Sequence, residues 1–249
     1  MTETYRIADI AVRIESLHKR VHRLCEAYRE NDASPVFCVR ITEADLALER
    51  ELSERNREKD ERPSSGNSDS YLEELAVYRK IAEKMPSFDT VLMHGSCIAM
   101  DGEGYLFAAK SGTGKSTHAR LWRERFGDRV IMINDDKPLI RVSENGPVVF
   151  GTPWAGKHHL NTNTSVPLKA ICFLERAEQN AAHRITFAEA YPMLLQQIYR
   201  PADSAAMKKT LALIDRLGAS VDLWRLECNM EPEAAQAAYN AMKGSAENP

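Results

Sequence analysis

The segment Ser111–Thr117 constrains this chain more than any other part of its sequence. It reads Ser-Gly-Thr-Gly-Lys-Ser-Thr, follows the apolar run Tyr105–Phe107 and precedes a helical pattern that reaches Phe126. A strand, a glycine-rich turn and a helix in this order form a phosphate-binding loop. Because Gly112 and Gly114 lack a Cβ, the backbone can turn its N–H groups inward, and the helix N-terminus adds positive charge. The segment therefore predicts an anion-binding loop.

The side chains of this loop indicate which anion it binds. Lys115 is placed to reach the β- and γ-phosphates of a nucleotide, and the Ser116 hydroxyl is placed to ligate a bridging Mg²⁺. The rest of the predicted nucleotide site is Ser111, Gly112, Thr113, Gly114 and Thr117. The full motif asks for glycine where this chain has Ala109. We predict a nucleotide-phosphate site, and the alternative is a flexible Gly/Ser loop that carries a lysine.

A pair of carboxylates, Asp135 and Asp136, ends the apolar run 129–133, and Asp136 lies 20 residues after Ser116. One carboxylate can hold Mg²⁺, directly or through water. The second, whose ionisation is coupled to that of the first, can accept a proton from an incoming hydroxyl. The pair therefore predicts a kinase, and the alternative is a turn that only terminates a strand.

The segment before the loop indicates the topology of the sheet. The runs 97–100 and 104–109 are separated by a short Asp-Gly turn, which is a β-hairpin signature. We therefore expect an α/β fold with a mixed sheet, in which an antiparallel hairpin leads into the phosphate loop. A small N-terminal α/β lobe is predicted at 1–85, with a single strand over 5–14 and a flexible linker near 63–69, and a catalytic domain at 86–249.

Composition excludes several classes of protein. The formal net charge is −3, so no basic excess points to nucleic acid. The five cysteines lack CxxC spacing, and no signal-peptide pattern is present, so we expect a cytoplasmic protein without a disulfide framework or zinc site. No apolar run approaches the roughly 20 residues that cross a bilayer, so no membrane association is expected.

The motifs together resemble a known family. His94-Gly95, the hairpin, the loop and Asp135-Asp136 are similar in order and spacing to the catalytic domain of HPr kinase/phosphorylase. The resemblance to ATP-dependent phosphoenolpyruvate carboxykinase is more distant. In outline the chain looks most like small HPr-kinase-like proteins found with peptide-modifying enzymes, some of which phosphorylate serine in a ribosomally made peptide. The resemblance implies a P-loop kinase of this type that uses ATP and Mg²⁺.

The resemblance also implies roles for individual residues. Lys115 would bind the γ-phosphate, Ser116 would hold Mg²⁺ with support from Asp135, and Asp136, a further metal-side carboxylate, would deprotonate an acceptor serine. His94 would lie near the transferred phosphate. In the family, a glutamate metal ligand lies beyond the second carboxylate, but the corresponding segment 150–159 has no acidic residue. The reverse, phosphorylase reaction and HPr as the acceptor are therefore not expected.

Two further segments carry candidate residues. The loop 151–159 is predicted to be a lid or acceptor-binding segment, in which Trp154 stacks on adenine or substrate and Lys157, His158 and His159 meet phosphate charge. An exposed loop with incidental histidines is the alternative. Arg200 is a candidate cation for the transition state, and the alternative for this residue is a helix-end cap.

These observations lead to one functional hypothesis and three alternatives. The leading hypothesis is an ATP- and Mg²⁺-dependent kinase that phosphorylates a serine-type hydroxyl of a protein or peptide. The alternatives are a nucleotide-binding regulatory subunit or slow ATPase, a kinase of a small-molecule hydroxyl, and a carboxykinase acting on a small dicarboxylate. The partners expected are ATP and a phospho-acceptor, and the sequence leaves the oligomeric state open, including a homo-oligomer.

Overall fold

The computed structural model describes residues 1–30, 32–59 and 66–244, and the chain divides into two compact units, Met1–Lys84 and Met85–Pro249. Part of the predicted linker, residues 63–65, lies outside the described residues. Among the helices within these ranges, none has the length and apolar character needed to cross a membrane.

The first unit contains a three-stranded sheet. Strands β1 (Thr2–Ile7) and β2 (Ile10–Glu15) form an antiparallel hairpin, and β3 (Phe37–Arg40) lies parallel to β2. The prediction of a single strand over 5–14 is wrong, because Ala8 and Asp9 reverse the chain with positive φ angles of 47° and 58°. Positive φ at both central residues is what a two-residue hairpin turn requires, but Ala-Asp lacks the usual Asn-Gly or Asp-Gly signal.

Three helices complete the first unit. They are α1 (Arg20–Leu24), α2 (Glu43–Lys59) and α3 (Asp69–Lys84). Thr42 precedes α2, and its backbone N–H and its hydroxyl both donate to Asp45 Oδ2, at 2.9 and 2.8 Å. The dense charges of α2 partly face α3, where Lys80 Nζ lies 2.8 Å from the same Asp45 Oδ2.

The second unit is built on a nine-stranded mixed sheet, so the chain has an α/β fold. The order β4-β8-β9-β10-β6-β5-β7 runs across the sheet, with β12 added to β10 and β11 to β12. The longest strand, β10, pairs antiparallel with β9 near its start and parallel with β6 and β12 further along. The strands are β4 (Thr90–Leu92), β5 (Ser96–Met100), β6 (Glu103–Ala108), β7 (Val130–Asn134), β8 (Leu139–Ser143), β9 (Gly146–Phe150), β10 (Ser165–Arg176), β11 (Ala181–Arg184) and β12 (Asp222–Cys228).

The predicted hairpin into the phosphate loop is present. Strands β5 and β6 pair antiparallel, and the turn between them has positive φ at Asp101 and Gly102. Because β6 is also parallel to β10, the loop that follows β6 lies at the carboxyl ends of two parallel strands. Ligands of α/β proteins bind at this edge of the sheet.

Helices cover both faces of the sheet in the second unit, because alternate residues of β6 and β10 point to opposite sides. Leu106 and Phe173 belong to one core cluster, packed with α5 and α6. Phe107 and Cys172 belong to the other, packed with α4 and α7. The helices are α4 (Lys115–Phe126), α5 (Phe187–Gln197), α6 (Ser204–Ser220) and α7 (Glu233–Met242).

Candidate functional site

The phosphate loop connects the end of β6 to the start of α4. Gly112 and Gly114 have φ angles of 78° and 130°, and a Cβ added at either position would meet no atom within 4 Å. Glycine is therefore needed here for its backbone conformation and not for lack of space. The first helical hydrogen bond of α4, from His118 N to Gly114 O, is 2.8 Å long, so the helix N-terminus directly follows the glycines.

Lys115 folds back over its own loop. Its Nζ donates to the carbonyl oxygen of Ala109 at 3.0 Å, and the residue is only 9% exposed. Burial lowers the pKa of Lys115, while the negative charge of Asp136 acts in the opposite direction. Lys115 therefore lies within electrostatic reach of Asp136, and its ammonium group is held at the loop by a carbonyl that an incoming phosphate can replace.

The outer side of the loop is held by Arg176, a residue at the end of β10 that the sequence analysis missed. Its Nη2 donates to Gly112 O, and its Nε donates to Thr113 O at 3.2 Å. Holding these carbonyls favours a loop conformation in which backbone N–H groups remain available to an anion. No local sequence signal pointed to Arg176, because its role depends on the parallel pairing of β10 with β6.

The turn that carries the two carboxylates is fixed by Asn134 at the end of β7. Asn134 is fully buried, and its Oδ1 accepts from the backbone N–H groups of Asp136 (2.9 Å) and Lys137 (2.7 Å). Its amide nitrogen donates to Thr152 O and Oγ1, at 3.1 and 3.0 Å. Asn134 therefore links this turn to the loop 151–159, and sequence reasoning missed this role.

Asp136 is paired with two basic side chains. His94 Nε2 lies 3.2 Å from Asp136 Oδ1, and Lys137 Nζ contacts Oδ2. Burial by itself would raise the pKa of Asp136, but the hydrogen bond from His94 and the charge of Lys137 outweigh it and lower the pKa to about 2. Gly95, next to His94, lets the backbone lie directly against β6, since a Cβ there would lie 2.9 Å from Phe107 O. The structure thus brings His94 and Asp136 together.

Asp135 has a different environment from its neighbour. It is 4% exposed, and its Oδ1 accepts from Gly156 N at 2.5 Å. Its Oδ2 is buried and has no hydrogen-bond partner among the described residues. Burial is the largest cause that raises the pKa of Asp135 and the charge of Asp136 adds to it, while the backbone N–H groups of Gly156, Asp135 and Leu160 act in the opposite direction. A Cβ on Gly156 would lie 3.0 Å from Oδ2, so a larger residue at position 156 would crowd this oxygen.

Ser116 and Asp135 both line a cavity of about 430 Å³, which we call the α4 cavity. Its other walls are residues of α4, Met132, His158 and Leu160. The described residues contain no group of three or more His, Cys, Asp or Glu side chains that could hold a metal ion by themselves. A metal at Ser116 and Asp135 would thus need additional ligands from a bound substrate.

The other residues predicted from the sequence differ in exposure and position. Trp154, which the sequence predicts to stack on adenine or substrate, is 4% exposed, and its carbonyl accepts from Asn134 Nδ2 at 3.3 Å; the stacking role stays a prediction. Lys157, His158 and His159 are exposed, and His158 lines the α4 cavity. Arg200 is exposed beyond the end of α5 and forms no ion pair within the described part of the chain.

Comparisons with known proteins give a matching family and several matching solved structures. The family model described as SynChlorMet cassette protein ScmC matches residues 67–211. No curated protein matches the chain significantly. Among solved structures, the HPr(Ser) kinase/phosphatase from Coxiella burnetii is weakly similar, with 10% sequence identity and a TM-score of 0.32. That match covers 61% of this chain and 99% of the other.

Proposed function

This chain belongs to the ScmC family of SynChlorMet cassette proteins, and we propose that it is an ATP- and Mg²⁺-dependent kinase of a serine-type hydroxyl on a protein or peptide. The observation that carries the proposal is Asp135. A buried carboxylate oxygen without a hydrogen-bond partner among the described residues is costly, and the residue that carries it lines the same cavity as Ser116 of the phosphate loop. An oxygen of this kind is suited to a ligand that arrives with a substrate.

Magnesium fits these residues. Mg²⁺ is usually held by one or two carboxylates together with substrate phosphates, and few all-protein cages bind it. We expect Ser116 Oγ and Asp135 Oδ2 to hold the ion with phosphate oxygens of the nucleotide. When bound, Mg²⁺ neutralises charge that develops on the β- and γ-phosphates during transfer.

The chain's own residues then have defined tasks. The amides of the loop, Lys115 and the α4 N-terminus bind and orient the triphosphate. Asp136, ionised at neutral pH and held by His94 and Lys137, is the group that takes the proton of the acceptor hydroxyl. A bond forms between the acceptor oxygen and the γ-phosphorus, and the bond from that phosphorus to ADP breaks. In a loose phosphoryl-transfer transition state, positioning and charge neutralisation dominate, so a weak base is sufficient.

The contacts of Asp136 also favour a second candidate. His94 and Lys137 each contact one oxygen of this carboxylate, and these contacts lower its pKa and weaken it as a proton acceptor, which suits a nucleotide-binding regulatory subunit or slow ATPase. In that case the loop and Asp135 would bind the nucleotide, and no acceptor would be phosphorylated.

The test is phosphate transfer from γ-labelled ATP to serine-containing peptides and to cell extract, with nucleotide binding measured in parallel. For Asp136→Asn we expect ATP affinity to remain, while transfer falls by about 10³-fold, because the group that removes the hydroxyl proton is lost. The exposed carboxylate Asp128 provides the control variant Asp128→Asn, which should transfer normally.

A Lys115→Met variant separates the hypotheses further. It should lose nucleotide affinity, because the ammonium group that binds the phosphates is removed. ATP binding without transfer to any acceptor would support the regulatory alternative, and absence of ATP binding in the unaltered protein would overturn both.

A further inference from the structure

A second cavity, of about 560 Å³, lies at the carboxyl ends of β6 and β10. Its walls are residues 108–113 of the phosphate loop, residues 173–176 of β10, and three residues of α5. It shares no lining residue with the α4 cavity, which borders the opposite half of the loop at Ser116 and Thr117. The loop is therefore flanked by two separate cavities.

Two cavities suit the geometry of phosphoryl transfer. The attacking oxygen and the leaving oxygen lie roughly in line on opposite sides of the phosphorus. The nucleoside and the acceptor must therefore approach the γ-phosphate from different directions, and two separate cavities beside the phosphate loop are suited to receive them.

The second cavity is connected to Asp136 through its wall. The carbonyl of Gln197, which lines the cavity, accepts from His94 N at 2.8 Å. The side chain of the same histidine contacts Asp136. The residue proposed to remove the hydroxyl proton thus lies two contacts from this cavity.

The chemistry of the second cavity fits a peptide. Gln196 and Gln197 offer carboxamides that can both donate to and accept from backbone amides. Glu175 contributes a negative charge beside the positive charges of Lys110 and Arg176, so no single sign dominates. Met193 and Phe173 add apolar surface. A dicarboxylate would require a cluster of positive charges, whereas this mixture suits a segment of peptide.

The α4 cavity has the complementary character. Ala119, Met132 and Leu160 provide apolar walls, and Arg120 and Arg123 offer guanidinium groups that can stack on a ring. An aromatic base with attached phosphates matches this combination.

From these observations we propose that the second cavity binds a hydroxyl-bearing peptide segment as the phospho-acceptor, and that the α4 cavity holds the nucleoside of ATP. This inference rests on the kinase function proposed above. It assigns the two cavities of the phosphate loop to different substrates.

A matched pair of labelled cysteines tests the assignment on the full chain. Cys38 is exposed and Cys228 is half-buried, so both are first replaced by serine. Gln196→Cys then places a thiol in the wall of the second cavity, and Arg123→Cys places one in the α4 cavity, both at exposed positions. Each variant is compared before and after reaction with a bulky maleimide, with γ-labelled ATP and a degenerate library of serine-containing peptides as probes.

With the label at position 196 we expect peptide phosphorylation to fall at least about tenfold, while ATP affinity stays within about twofold. With the label at position 123 we expect ATP affinity itself to fall about tenfold. Unchanged peptide phosphorylation with the label at 196 would overturn the acceptor assignment and leave the kinase proposal intact.

Two other outcomes separate the proposals. If the unlabelled protein binds ATP but phosphorylates no library peptide, and instead phosphorylates a small hydroxyl compound of an extract, the peptide assignment is wrong. If the unlabelled protein does not bind ATP, the proposed function fails first.

Discussion

Each unit of this protein buries a group of polar side chains. The hydrogen bonds of the first group are all made within the protein, whereas those of the second group are not. In the first unit, His22 lies between Tyr5 and Ser16, with its Nδ1 2.6 Å from Tyr5 Oη and its Nε2 2.7 Å from Ser16 Oγ. In the second unit, Asp135 has one oxygen bonded to Gly156 N and one without a hydrogen-bond partner in the part of the chain that the structure describes. The first network is complete within the protein, and the second is not.

The same contrast holds for two buried carboxylates. Glu73 is fully buried, and its two oxygens accept from Leu17 N at 2.5 Å and from His18 N at 2.8 Å. Asp135 is nearly as buried but satisfies only one oxygen. A satisfied buried network stabilises a fold, whereas an unsatisfied polar atom costs free energy of folding. The first group therefore stabilises its unit, whereas the second costs stability, which the proposed function explains by a ligand at Asp135.

Removing one acceptor oxygen of the satisfied Glu73 carboxylate should have the largest effect on stability. In Glu73→Gln, an amide N–H₂ group replaces one of the oxygens that accept from backbone N–H groups, so two donors face each other. We expect the free energy of unfolding of the first unit to fall by about 2 kcal/mol. Hydrogen exchange of amides in residues 1–30 measures this loss.

An exposed glutamate of the same unit supplies the control. Glu26 forms an ion pair with Arg29, and its side chain is 64% exposed, so Glu26→Gln should change stability by less than about 1 kcal/mol. If the two substitutions lowered the free energy of unfolding equally, the proposed difference between the buried Glu73 and an exposed glutamate would be wrong.

Removing the charge of Asp135 should change stability in the opposite direction and by a smaller amount. In Asp135→Asn, a buried charge without a full set of partners is removed, and we expect the free energy of unfolding of the second unit to rise by about 1 kcal/mol. In the same variant, the dependence of ATP binding on Mg²⁺ should weaken. Thermal unfolding and ATP titrations with and without Mg²⁺ measure the two effects.

Asp136 is the matched control for this substitution, because its charge is paired with His94 and Lys137. Asp136→Asn should lower the stability of the second unit. If Asp135→Asn destabilises the protein as much as Asp136→Asn does, Asp135 has a structural role and the open oxygen is not a ligand position.

The smallest predicted effect is a pH dependence of the first unit. Burial is the largest cause that lowers the pKa of His22, the N-terminal amine acts in the same direction, and Glu3 and Glu73 act against it. Because the folded-state pKa lies below the ordinary value of about 6.5, the unfolded state binds more protons as the pH falls. The stabilisation is therefore complete above about pH 6.5 and declines below it.

Hydrogen exchange of the first unit at about pH 7.5 and pH 5.5 measures this decline, within the range in which histidine titrates. The variant His22→Gln should reduce the difference between the two conditions, whereas His18→Gln, outside the Tyr5–Ser16–His22 network, should retain it. An unchanged pH dependence in His22→Gln would show that other groups cause it.

Local sequence patterns predicted the elements whose conformation depends on residues close together in the chain. The hairpin before the phosphate loop and the glycine conformations within the loop follow from the Asp-Gly turn and the Gly-Thr-Gly-Lys-Ser segment. The strand over 5–14 was mistaken because Ala8-Asp9 carries no strong turn signal. Strand β11 was missed because its four residues, two half-buried and two exposed, show little apolar alternation. Local propensity is weak where tertiary pairing decides the structure.

The sequence by itself determined that a strand, a glycine-rich turn and a helix carrying Lys115 and Ser116 follow one another, because these preferences act between neighbours in the chain. It also placed two acidic residues at the end of a later strand. Only the tertiary structure decided that Arg176 holds the loop, that Trp154 is buried, and that Asp135 and Asp136 have opposite environments. Those outcomes depend on which strands pair and which backbone groups reach each carboxylate, and such contacts join residues that are far apart in the chain.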